Sequence, residues 1–168
     1  MSQQLIADYK PFTMVDGEGF RCAIYVSGCI FNCKGCYNKS IQDFGNGKPY
    51  TKELEDIIIK DLSHEKVQGL TLLGGEPFLN TDVCLSLCKR VRSEFGNTRD
   101  IWAWTGYTYE ELQESINFIR RALDNLNLYS FIQSGLNTVV IGGSQVKIAR
   151  AGGYPCERCS DSLLGRDG

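Results

Sequence analysis

The stretch RCAIYVSGCIFNCKGCYN, residues 21–38, joins a run suited to a buried strand to a glycine-flanked loop with three cysteines. The first seven residues, rich in β-branched and aromatic types, read as a strand that ends at Gly28. Cys29, Cys33 and Cys36 follow at C-x3-C-x2-C spacing, and the next cysteine downstream is Cys84. A structural zinc site closes with four ligands, and ordinary iron–sulfur clusters also take four cysteines. Three thiolates at one place leave a metal position open, and an open position serves to bind something that reacts.

Outward from this loop the chain alternates helix and strand signals. Thr51 can cap a helix that carries Leu54, Ile57, Ile58 and Leu62 on one face. Residues 69–73, GLTLL, read as a strand ending at Gly74-Gly75-Glu76-Pro77. Asn80, Thr81 and Asp82 offer caps for a helix burying Val83, Leu87, Val91 and Phe95. The strand IWAW, 101–104, ends in Thr105-Gly106-Tyr107, after which Thr108 and Glu111 form a capping box. The helix it opens carries Leu112, Ile116, Ile119 and Leu123 on one side. Residues 138–141 and 145–149 read as further strands. Repeated β-α units predict an α/β fold, a mostly parallel sheet covered by helices, over residues 1–150. A polar, glycine-containing tail, 151–168, is expected to be loosely ordered. The unusual residues cluster just after strand ends, where ligands bind in such folds.

Composition narrows the class. With 168 residues, 42% hydrophobic and 23% charged, the chain is expected to be one soluble domain large enough to bury a core. A net charge of -2 argues against a nucleic-acid surface. Its longest apolar run falls well short of the roughly 20 residues a membrane span needs. The start, MSQQLIADYKPF, lacks the marks of a signal peptide, so a cytoplasmic location is expected. In that reducing compartment the eight cysteines read as metal or redox residues rather than disulfides. Outside the cluster, Cys22, Cys84 and Cys88 read as small core residues, and Cys156-x2-Cys159 as incidental. His64 reads as a surface residue, and Trp102 and Trp104, two apart on a strand, should face the same side.

C-x3-C-x2-C in the loop after a strand, with GGEP after the next one, resembles the radical S-adenosylmethionine (SAM) superfamily. The segments VDGEGFRC (15–22), YVSGC (25–29), CKGCYNKS (33–40) and WTGY (104–107) narrow the resemblance to the activases of anaerobic ribonucleotide reductase. Gly35 stands where the wider superfamily carries an aromatic residue, and Tyr37 follows instead, as is typical of these activases. The resemblance implies a partial, open (β/α) barrel forming a radical SAM domain over 1–150. It implies one [4Fe–4S] cluster per chain, its catalytic ligands Cys29, Cys33 and Cys36, with SAM chelating the fourth iron. Gly35, Cys36, Tyr37, Gly74, Gly75 and Glu76 are the implied SAM contacts: glycines permit close approach, and a loop carbonyl or carboxylate can accept from an ammonium group. The implied activity is reductive cleavage of SAM, which installs a glycyl radical in the large subunit of the anaerobic reductase, with a flavodoxin-type reductant.

The resemblance covers residues 5–113. The family's later Asp-Gly-x-Phe and Arg-Gly-Ser segments have no counterpart, and Gly142-Gly143-Ser144-Gln145 lacks the arginine. Three other readings compete. A radical SAM enzyme for a small molecule, such as the 7-deazaguanine carboxylate synthases, has a different cysteine spacing and needs more chain to enclose its substrate. A ferredoxin-type electron carrier would want four cysteines per cluster and has no use for GGEP. A zinc knuckle would need a distant fourth ligand.

Overall fold

The computed structural model describes residues 4–108 and 111–112, together with the backbone of 138–140. The order is β1 (Leu5–Thr13), β2 (Phe20–Val26), β3 (Lys48–Pro49), α1 (Lys52–Leu62), β4 (Val67–Gly74), α2 (Thr81–Phe95), β5 (Asp100–Trp104) and β6 (Thr138–Val140). They form one sheet in the order β3-β1-β2-β4-β5-β6. β2, β4, β5 and β6 run parallel, while β1 pairs antiparallel with both β2 and β3.

Burial explains which strands were legible. Every residue of β2 after Phe20 is buried, so the strand is a continuous run, as one covered on both faces should be. β1, LIADYKPFT, buries only Ile6 and Thr13 and carries Asp8, Lys10 and Pro11, so periodicity gave no strand there. β3 is a two-residue edge strand.

The outer face of the sheet, Ile24, Val26, Leu70, Leu72, Ile101 and Ala103, joins one core with Ile58 and Leu62 of α1 and Val83, Cys84, Leu87, Cys88 and Val91 of α2. Ala23, Tyr25 and Leu73 gather on the opposite face, with Trp104 against them. Arg21 lies on this face too, fully buried, with its guanidinium 4.9 Å over the Trp102 ring. The two tryptophans therefore share a side, as expected. Arg21 also donates to the Thr71 hydroxyl at 2.7 Å and pairs with Asp100 at 2.6 Å, which satisfies a charge that burial would otherwise penalise.

The helix boundaries follow their capping chemistry. The Thr51 hydroxyl accepts from Leu54 N at 3.2 Å, and Thr108 and Glu111 cap each other reciprocally. Two expectations need correction. Ile57 is 51% exposed, and the buried place goes to Glu55, which accepts from Tyr50 OH, Ser86 Oγ and Arg90 and pairs with Lys52. A satisfied carboxylate can occupy a position an isoleucine cannot reach. Asn80 precedes α2 without capping it; its Nδ2 donates instead to Glu76 O at 2.9 Å. The expectations for Ile116, Ile119, Leu123, the strand at 145–149 and the tail lie outside the described residues.

Because β2, β4 and β5 are parallel, their C-terminal ends share one edge, with Val26 opposite Gly74. The cysteine loop, the GGEP segment and the Thr105-Gly106-Tyr107 turn all leave from that edge. No helix among the described residues is long and apolar enough to cross a membrane.

Candidate active site

The loop after β2 is closed at its base by backbone bonds. Gly28 N donates to Ile41 O at 2.8 Å, and Cys29 N to Gln42 O at 3.0 Å. Within it, Cys36 N donates to Cys33 O at 3.3 Å, and a 3-10 turn, Lys39–Gln42, ends the excursion. Cys29, Cys33 and Cys36 are half-buried thiols. Gly35 takes a positive φ of 72° and, like Tyr37, is exposed.

Among the described residues, no group of three His, Cys, Asp or Glu side chains is gathered tightly enough to hold a metal ion. The three thiols share a loop without forming a single-ion site. A cubane cluster takes each thiolate on a different iron, so its ligands stand farther apart than those of one ion. Three half-buried thiols on an irregular loop at the sheet edge fit such a cluster.

The GGEP segment lies directly against that loop. Gly75 N donates to Val26 O at 2.7 Å, and Glu76 N to Gly28 O at 2.8 Å. Gly74 adopts a φ of +114°, which a side chain would strain, and a Cβ on Gly75 would collide with the Gly28 carbonyl. Pro77 then opens a 3-10 turn, Pro77–Leu79. Backbone contacts thus join the GGEP segment to Val26 and Gly28, at the point where the cysteine loop leaves β2.

Glu76 is 1% exposed, and its side chain turns inward. Oε1 accepts from Phe78 N at 2.9 Å and from the Thr105 hydroxyl at 2.8 Å; Oε2 accepts from Gly106 N at 2.8 Å. Burial pushes this carboxyl up to about 7, against the three donors that pull it down. Phe31, from between the cysteines, meets Tyr107 edge-on at 4.8 Å. The Thr105-Gly106-Tyr107 turn, expected at this edge, and Phe31, which sequence reading did not single out, are therefore parts of the site. The WTGY segment was the available signal, since it ends a strand at the same edge.

The turn between β1 and β2 folds over the inner face. Asp16 accepts from the hydroxyls of Thr13 at 2.8 Å and Tyr25 at 3.0 Å, and its carbonyl accepts from Thr71 Oγ1 and Trp104 Nε1. The remaining described cysteines lie in the core rather than in the cysteine loop, with Cys84 within electrostatic reach of Glu76. Cys22, Cys84 and Cys88 are fully buried in the core, and burial raises the Cys22 thiol to about 11 and that of Cys84 well above its ordinary value. His64 is exposed, as expected. Cys156 and Cys159 lie outside the described residues.

Residues 15–143 match the family model described as a 4Fe-4S single cluster domain. The chain is also similar to named anaerobic ribonucleoside-triphosphate reductase-activating proteins. It is 43% identical to that of Vibrio cholerae over 129 residues, 74% of this chain and 83% of the relative. Against the Escherichia coli K12 protein it is 45% identical over 108 residues, 62% of this chain and 70% of the relative. Against that of Enterobacteria phage T4 it is 37% identical over 106 residues, 62% and 67% respectively.

Proposed function

The chain belongs to the family of anaerobic ribonucleoside-triphosphate reductase-activating proteins, and from that premise we propose how its residues perform the activation. It is an iron–sulfur enzyme whose target is the anaerobic ribonucleotide reductase. Cys29, Cys33 and Cys36, in the loop after β2, would hold one [4Fe–4S] cluster to which SAM would bind. When bound, the cluster and SAM supply one-electron cleavage of a carbon–sulfur bond and abstraction of a hydrogen atom from a glycine of the reductase. A flavodoxin-type protein supplies the electron.

The chain's own residues bind and orient. The backbone of Gly35, Cys36 and Tyr37 on one side and the Gly74-Gly75-Glu76 segment on the other flank the SAM position. Glycines at 74 and 75 permit close approach of a small charged ligand to the strand ends. The sheet edge is read as the mouth of a partial, open (β/α) barrel, which suits a substrate delivered on a protein loop. Glycine is the least hindered backbone site for hydrogen abstraction, and its radical is delocalised over the flanking amides.

The observation that carries this reading is the backbone union of the three-cysteine loop with the GGEP segment, through Glu76 N to Gly28 O at 2.8 Å. The test is anaerobic reconstitution with iron and sulfide, followed by SAM and dithionite with and without the reductase. Methionine should be released, and electron paramagnetic resonance should show a doublet from a single α-hydrogen on the reductase. SAM cleavage with no doublet would instead favour a small-molecule substrate, and a cluster without SAM cleavage would favour an electron carrier.

A further inference from the structure

The GGEP glutamate, read from sequence as one of two possible acceptors for the SAM ammonium, is buried and already engaged by donors of the protein itself. Both carboxylate oxygens accept hydrogen bonds from within the protein: Oε1 from Phe78 N and Thr105 Oγ1, Oε2 from Gly106 N. The Glu76 backbone is engaged as well. Its N–H donates to Gly28 O at 2.8 Å, and its carbonyl accepts from Leu79 N at 3.0 Å and Asn80 Nδ2 at 2.9 Å. The residue therefore ties its own segment to two other strand-end loops, by its amide to the cysteine loop and by its carboxylate to the turn after β5, while its carbonyl holds the turn that leads into α2. An aromatic contact closes the circuit. Phe31, from the cysteine loop, packs on Tyr107 at 4.8 Å, and a Cβ on Gly106 would lie only 2.5 Å from the Phe31 ring.

We propose that Glu76 is a positioning residue that clamps the Thr105-Gly106-Tyr107 turn against the cysteine loop, rather than a direct ligand of SAM. This rests on the reading of the sheet edge as the SAM site and assigns the ammonium group to loop carbonyls. The geometry has a chemical consequence. Once deprotonated, Glu76 has only acceptors to offer, and all three neighbours donate to it. In Glu76→Gln, either orientation of the amide sets its NH2 against a backbone N–H, that of Phe78 or that of Gly106. The turn is then released although volume is unchanged. Thr105→Val removes the donor to Glu76, together with the acceptor of Tyr107 N–H, at nearly constant shape without touching Glu76 itself. A clamp makes the two substitutions act through one contact, so their effects should not add.

The experiment uses the reconstituted full chain and measures SAM affinity by calorimetry, iron content, and amide hydrogen exchange at Gly106. Thr105→Val should bind SAM about tenfold more weakly with iron content unchanged, and Thr105→Ser, which keeps the hydroxyl, should bind normally. The Thr105→Val/Glu76→Gln double variant should bind no more weakly than Glu76→Gln alone. Exchange at Gly106 should accelerate by about tenfold or more in either single variant, with or without SAM. Parent-like SAM affinity in Thr105→Val beside lost affinity in Glu76→Gln would make Glu76 a direct ligand and overturn the proposal. Additive losses, or Gly106 exchange unchanged in both variants, would overturn it too. Should the parent chain bind no SAM, the functional reading fails, and the exchange measurement still decides the clamp because it needs no ligand.

Discussion

Two groups of cysteines in this molecule carry the same side chain and opposite roles. Cys84 and Cys88 stand four apart on α2, and that spacing puts both on the face turned to the sheet, where they are fully buried. Cys29, Cys33 and Cys36 show nearly the same intervals, but in a loop that begins at Gly28 on the sheet edge, and they remain half-buried. Spacing alone does not separate them. The difference lies in what precedes each group: a helix hides its inward residues, whereas a loop after a parallel strand presents its side chains where ligands bind. Burial then raises the Cys84 thiol well above its ordinary value and keeps it protonated, while a metal ligand must be a thiolate.

The comparison breaks most easily at the cluster. Replacing Cys29, Cys33 or Cys36 with alanine should remove the cluster and all SAM cleavage, as read by iron analysis and methionine release. A Cys84→Ala protein that also lost its iron would contradict the division of roles.

A smaller effect is expected where loop meets loop. Gly75→Val drives a side chain into the Gly28 carbonyl and should weaken SAM binding at least about tenfold, since overpacking of this kind costs about 1–3 kcal/mol. Calorimetry giving parent-like affinity would show that the GGEP segment is not where SAM approaches.

A pH effect of comparable size is expected from Glu76, which belongs to the site yet is buried like the core. Burial raises its carboxyl from 4.5 to about 7, and the neighbouring ionisable group, Cys84, is neutral across that range. Between those values the unfolded chain has lost a proton that the folded chain still holds. Stability contributed by this group is therefore full below about pH 4.5 and falls as pH rises towards 7, by about 3 kcal/mol at most. Denaturant titrations of the parent and of Glu76→Gln at pH 5 and pH 7.5 should differ by that slope, and parallel profiles would show that Glu76 does not titrate there.

The smallest effect should come from the core. Cys84→Ala deletes one buried sulfur and should cost about 1 kcal/mol, seen as a few degrees in Tm, with iron content and SAM cleavage intact.

Much of this organisation is legible in the sequence. The α1 cap at Thr51, the capping box at Thr108 and Glu111, and strands β2, β4 and β5 were readable because each is specified within a few consecutive residues. Ile57 and Asn80 misled for the same local reason. A face assignment could not foresee that Tyr50, Ser86 and Arg90 would satisfy a buried Glu55, nor that Asn80 would turn back to Glu76.

By itself the sequence determined the chemistry of the cluster loop, since C-x3-C-x2-C followed by GGEP states the donor types and their order along the chain. Only the tertiary structure decided that β1 and β3 extend the sheet antiparallel, because their pairing partners are distant and their own residues alternate weakly. It also decided what the Glu76 carboxylate touches. Thr105 and Gly106 lie 29 and 30 residues away in the chain and reach it only because β4 and β5 run parallel and end side by side.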